Sequence, residues 1–74
     1  MVIDLVQLRT FLAVAEELHF GRAAARLHMT QPPLTMAIRK LEAELGATLF
    51  ERTSRSVALT PAGAALVQPA QRLI

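Results

Sequence analysis

Between Gln31 and Lys40 the chain places five side chains that suit contact with a nucleic acid: Gln31, Thr35, Met36, Arg39 and Lys40. A glutamine amide both donates and accepts, so Gln31 can pair with adenine N6 and N7, and an arginine at Arg39 with guanine O6 and N7. Thr35 offers a hydroxyl or a methyl group, and Met36 an apolar contact for a thymine methyl. Arg39 and Lys40, further along, act more through charge. Each residue also has a plainer reading. Gln31 can cap its own helix, and Thr35 can bond back to the helix backbone. Arg39 can pair with Glu42 or Glu44, of which the three-residue spacing favours Glu42.

Charge placement supports the first reading. The net charge is only +2, but the pI is near 10.5 and the cations are clustered. From Leu18 to Leu41 the basic residues are Arg22, Arg26, Arg39 and Lys40, with no acidic residue among them. Arg52 and Arg55 follow, while Asp4, Glu16 and Glu17 are read as lying at the other end. A basic block on a small domain points to a polyanionic partner, and Arg22 joins the candidate contacts. The alternative is a solvated, salt-bridged surface.

Other chemistries find little support. The chain has no Cys, which excludes disulfides and thiolate metal sites. His19 and His28, separated by a turn, do not match a metal spacing. No serine has a His/Asp relay, and no glycine-rich loop could cradle phosphates. No enzyme and no cofactor is expected. No run of about eighteen apolar residues could span a membrane. Met1 to Leu8 carries Asp4 and lacks the pattern of a signal peptide, so a cytoplasmic protein is expected.

These side chains must be held by something. The 74 residues, 53% apolar and 19% charged, suit one small globular domain with a marginal core. Asp4-x-x-Gln7 reads as a capping box. Leu5, Leu8, Phe11, Leu12, Ala15 and Leu18 then recur at helical spacing, with Thr10 and Ala13 off that face. A second helix is expected from about Phe20 to Leu27, with His28 in the left-handed turn after it. Thr30 is the expected N-cap of a third helix, whose first turn tolerates Pro32 and Pro33. Leu34, Ile38, Leu41 and Leu45 form its inward stripe, and Gly46 stops it. The opposite face then carries Pro32, Met36, Arg39 and Ala43, flanked by Thr35 and Lys40. Two short strands, about Thr48 to Arg52 and Ser56 to Leu59, flank a polar turn with Arg55 at its tip. There a cation can enter a narrow minor groove. Arg52 is read as meeting a phosphate or the neighbourhood of Glu51. Thr60 and Pro61 open a fourth helix, with Ala62, Ala65, Leu66, Pro69 and Leu73 on one face.

The order is α-α-α-β-β-α, a mainly α winged helix-turn-helix. Its third helix, about 31–45, is the candidate reader of the major groove, and the hairpin at about 48–59 is the wing. A winged-helix protein-interaction module without DNA binding is the alternative.

In fixed spacing, several pieces resemble the N-terminal domain of LysR-type transcriptional regulators. They are Leu8…Phe11, Ala23-Ala24…Leu27, Thr30-Gln31-Pro32-Pro33, Ile38…Leu41-Glu42…Leu45-Gly46, Leu49-Phe50…Arg52 and Leu59-Thr60…Gly63. The resemblance implies sequence-specific binding of double-stranded DNA by a bacterial regulator. It implies contacts at Gln31, Pro32, Pro33, Thr35 and Met36, with Arg55 as the wing arginine. It further implies a homodimer or tetramer and a C-terminal effector-binding domain, absent from this chain, that senses a small molecule. Residues 1–60 would form the DNA-binding domain, and 61–74 the start of a linker helix through which subunits pair. Three positions depart from the pattern. His19 stands where Ser or Thr often caps, Met36 where Arg or another polar residue is common, and Pro69 lies within the expected linker helix.

Overall fold

The computed structural model describes residues 4–74; Met1, Val2 and Ile3, part of the segment read for a signal peptide, lie outside the described residues. Helix α1 spans Leu5–Glu17, α2 Phe20–Arg26 and α3 Gln31–Leu45; strands β1 (Phe50–Arg52) and β2 (Val57–Leu59) follow, and α4 runs Pro61–Leu73. The strands pair antiparallel, with Phe50 opposite Leu59 and Arg52 opposite Val57. Four helices and one hairpin make the expected winged helix-turn-helix.

Local signals account for the helix ends. Asp4 and Gln7 close a reciprocal capping box, the Gln7 N–H donating to Asp4 Oδ1 at 2.8 Å. His28 turns left-handed at φ 57°, as its position suggests, and so does Leu18 at φ 50°. Gly46 ends α3 at φ 67°. The strands are shorter than the extended segments suggest, although one cross-strand backbone bond continues beyond each end, Thr60 N–H to Leu49 C=O and Thr53 N–H to Ser56 C=O. Leu49 N–H donates to the Glu42 carboxylate.

Helix α1 is the hub of the core, in contact with α2, α3 and α4. It is therefore buried over a wider arc than one stripe. Thr10, Ala13 and Val14 are buried with Leu8, Phe11 and Leu12, whereas Leu5 and Leu18 are 48% and 43% exposed. The single-face reading of this helix thus needs correction at both ends. Thr10 enters the core because its hydroxyl donates to the carbonyl of Val6 at 2.8 Å, which satisfies it. On α2 and α3 the expected stripes hold: Phe20, Ala23, Ala24, Leu34, Ile38 and Leu41 are buried, and Leu27 and Leu45 pack against them. Phe50 closes the core from the wing side, its ring 5.5 Å from Phe11 and 6.0 Å from Phe20.

Helix α4 docks on a different face from the one the sequence suggests. Gly63 and Ala70 are buried and Leu66 and Val67 partly so, while Ala62, Ala65, Pro69 and Leu73 face outward. Gly63 sets this rotation, because only a residue without Cβ fits against the backbone of Leu49. The helix also runs through Pro69 to Leu73 without fraying there. Pro69 leaves the carbonyl of Ala65 without its helical donor, at a residue exposed to solvent. Pro69→Ala should therefore raise helicity and melting temperature together. Circular dichroism at 222 nm during a thermal melt checks this, and coincident curves for both forms would contradict it.

Candidate nucleic-acid interface

The exposed side of α3 begins with an unusual helix start. Thr30 holds the N-cap position with extended backbone but makes no side-chain cap bond. The reason lies in the next three residues. An N-cap hydroxyl accepts from the second or third helical N–H, and here those residues are Pro32 and Pro33, which have none. The expected cap therefore has no donor to serve. Two of the four amides usually free at a helix start are missing as well, which leaves the Gln31 side chain and the Thr30 hydroxyl as the polar side-chain groups there.

Along the helix, Gln31, Pro32, Pro33, Met36, Arg39 and Lys40 are exposed and Thr35 is half-buried. Among the described residues, the side chains of Gln31, Thr35, Arg39 and Lys40 make no hydrogen bond or ion pair with the protein. Arg39 loses both proposed acidic partners to other groups. Glu42 accepts from the N–H groups of Leu49 (2.7 Å) and Phe50 (3.4 Å), and Glu44 accepts from the Gln7 amide at 2.9 Å. Gln31, Pro32, Thr35, Met36 and Arg39 together line a shallow open recess.

The basic block is less uniform than its sequence suggests. Glu16 and Glu17 do not sit at an opposite end. The left-handed turn at Leu18 folds α2 back so that they meet its arginines. Arg26 lies 2.6 Å from Glu16 and 3.4 Å from Glu17, and Arg22 lies 3.5 Å from Glu17 while also donating to the Glu17 carbonyl at 3.1 Å. The hydrogen bond and charge of Glu16 hold the Arg26 guanidinium pKa above its ordinary value. Two of the four cations are thus compensated locally. The other two lie on α3, and Arg55 on the wing likewise has no acidic partner among the described residues.

The wing is positioned by contacts that sequence reasoning missed. Glu42, on α3, ties the start of β1 to the helix through both N–H acceptor bonds. Its spacing from Leu49 carries no periodic signal, so only the fold reveals it. Arg52 stacks on Phe20, its guanidinium carbon 4.2 Å from the ring centre, a contact the sequence did not suggest. At the tip, the Thr53 hydroxyl accepts from the N–H groups of Arg55 (3.2 Å) and Ser56 (3.0 Å). Arg55 therefore projects, exposed, from a stitched turn. His19 also caps α2 despite its departure from Ser or Thr: its Nδ1 accepts from Arg22 N–H at 2.9 Å. Among the described residues no group of three His, Cys, Asp or Glu could hold a metal ion, and no helix is long and apolar enough to cross a membrane.

A helix with a free polar and cationic face, next to a hairpin with an arginine at its tip, is an arrangement known proteins share. Residues 5–64 match the bacterial regulatory helix-turn-helix protein, lysR family. The chain belongs to the LysR family. It is 63% identical over 71 residues to the HTH-type transcriptional regulator XapR of Escherichia coli (strain K12), covering 96% of this chain and 24% of that protein. Its fold matches the CbnR DNA-binding domain in complex with DNA at a TM-score of 0.92, with 45% identity, covering 96% of this chain and 82% of that one. The BenM DNA-binding domain in complex with benA site 1 DNA matches at 0.90, with 48% identity, covering 96% and 80%. The chain thus spans about a quarter of the length of the curated relatives it matches. The family is one of regulators, in agreement with the expectation that this LysR-family chain is not an enzyme.

Proposed function

We propose that this chain is the sequence-reading head of a transcription regulator, with α3 lying in the major groove of double-stranded DNA. The observation that carries this reading is the coincidence, around the solvent-facing side of α3, of exposed Gln31, Arg39 and Lys40 and half-buried Thr35, all unengaged, beside the projecting Arg55. Gln31, Thr35 and Arg39 face base edges, Pro32 and Pro33 seat the helix start, and Lys40 meets a phosphate. Arg55 enters the minor groove, where a cation gains most at A·T-rich flanks. Arg22 contributes as a weaker, shared charge because Glu17 already partners it. The LysR-family relatives named above are regulators, and both matched structures named above hold DNA.

The full protein acts in the cytoplasm as a homodimer, with a tetramer as a further assembly. A second copy covers the outward face of α4, where Leu45, Ala47, Leu49, Ala62, Ala65 and Leu66 form an apolar recess. Residues 1–60 form the reading domain and 61–74 begin the pairing helix. A small-molecule effector binds a separate C-terminal domain.

The experiment compares two variants on a site selected from random DNA and on random duplex. Gln31→Ala should cost about 1–3 kcal/mol on the selected site and little on random DNA. Lys40→Ala should weaken both together and reduce the salt dependence by about one counterion. Equal losses for Gln31→Ala on both duplexes would make Gln31 a phosphate contact and move base reading elsewhere.

A further inference from the structure

We propose that Met36, backed by Pro32, is a reader of the pyrimidine C5-methyl group, so that binding responds to thymine and to cytosine C5 methylation alike. The inference rests on the reading of α3 as the major-groove helix and assigns the chemistry of its middle.

Met36 is 70% exposed, among the most open large apolar side chains in the described chain. It stands one turn beyond Pro32, and a helical side chain covers the turn N-terminal to its own Cα. Met36 and Pro32 therefore form one apolar patch. Gln31 and Arg39 bound it, about 12 Å apart along the helix axis by the rise of about 1.5 Å per residue. That spacing covers three to four base-pair steps of about 3.4 Å each. The patch lines a recess of about 450 Å³ with Gln31, Thr35 and Arg39, and no acidic side chain lines it.

The occupant follows from polarity and charge. The cationic rim favours DNA over an apolar protein surface. Within a major groove, a bare amino or carbonyl edge against this patch would lose its water and gain no hydrogen bond. The C5-methyl of a pyrimidine is the one apolar group that a base pair presents there. Thymine carries it, and so does 5-methylcytosine. An unbranched thioether adapts its shape to either.

The test uses the 74-residue chain and a duplex that the wild type selects from random DNA. Each thymine is replaced singly by uracil, which removes only the methyl group. At one or two positions uracil should weaken the wild type about three- to fivefold, the value of one buried methyl group. Met36→Ala should bind the thymine and uracil duplexes equally at those positions. At the same positions, cytosine should bind more weakly than 5-methylcytosine for the wild type but not for Met36→Ala. Met36 is exposed, so the variant keeps its fold, and affinity ratios between duplexes do not depend on the folded fraction. If no thymine is sensitive, or if the sensitivity survives in Met36→Ala, the methyl reader is wrong while the major-groove reading stands. If selection enriches no sequence, that reading fails and the methyl reader falls with it.

Discussion

Ile38→Ala should bring the chain close to unfolding at room temperature. Ile38 is 3% exposed and sits at the middle of the inward stripe of α3, between Leu34 and Leu41, both fully buried. Its side chain also lines the recess beneath Arg52, with Phe20 and Phe50. Truncation removes transfer energy and leaves a cavity, together about 2–5 kcal/mol. A domain of 74 residues has about 4–11 kcal/mol in all, at about 0.05–0.15 kcal/mol per residue. The loss is therefore a large share of the total. For a domain of this size it lowers the melting temperature by about 8–40 °C. Ile38→Val, which removes one methylene, should cost only about 0.5–1.5 kcal/mol. A thermal melt of the three proteins checks the series. An alanine variant that melts with the wild type would mean that α3 turns a different face to the core. It would also mean that Gln31, Met36 and Arg39 do not share the exposed one.

The exposed face of α3 is readable from the sequence because it is the complement of a periodic stripe. Leu34, Ile38, Leu41 and Leu45 recur at helical spacing, so the residues opposite them must be exposed, and they are. The wing tip was equally legible, since polar Thr53, Ser54 and Arg55 interrupt two extended segments. What could not be read is chemistry between distant positions. Glu42 looked like a partner for Arg39 at helical spacing, but its carboxylate accepts from backbone N–H groups of β1. Two N–H donors at the start of a strand outbid an exposed ion pair, which is worth about 0–1 kcal/mol. Glu16 and Glu17 looked remote from the basic block because the sharp turn at Leu18 is made by a leucine. A leucine in the left-handed region carries no sequence signal, unlike Gly46 or the histidine at position 28. Thr30 met the rule for an N-cap, yet its neighbours Pro32 and Pro33 remove the donors that the rule presumes. Similarity to a family pattern located the prolines and Gln31 without that reason for their company.

Gly63→Ala should destabilise the chain even though it replaces glycine by the best helix former. Inside a helix, alanine is favoured over glycine by about 0.8–1.0 kcal/mol, and Gly63 has helical neighbours on both sides. Propensity alone therefore predicts stabilisation. Packing predicts the reverse. A Cβ at this position would lie 2.2 Å from the carbonyl oxygen of Leu49, 2.9 Å from Leu59 Cδ2 and 3.1 Å from the carbonyl carbon of Leu49. The leucine tip can rotate away, but the carbonyl cannot. Leu49 C=O is fixed by Thr60 N–H at 3.0 Å, and Leu49 N–H by Glu42 at 2.7 Å. The Thr60 hydroxyl also donates to the carbonyl of Thr48 and accepts from Gly63 N–H itself. Relief thus requires α4 to lift from the base of the wing. That opens the packing of α4 against α1 and loosens the first strand. Overpacking a tight site costs about 1–3 kcal/mol when side chains can yield, and backbone against backbone belongs at or above the top of that range. The expected net result is a loss of about 2 kcal/mol or more after the propensity gain. Ala64→Gly, one residue along and exposed, is the control, and should cost only the propensity difference of about 0.8–1.0 kcal/mol. Chemical denaturation of both variants separates the two effects. Should Gly63→Ala match or exceed wild-type stability, α4 does not cross the Leu49 backbone this closely. The outward face of α4, with Ala62, Ala65 and Leu73, would then have to be reassigned.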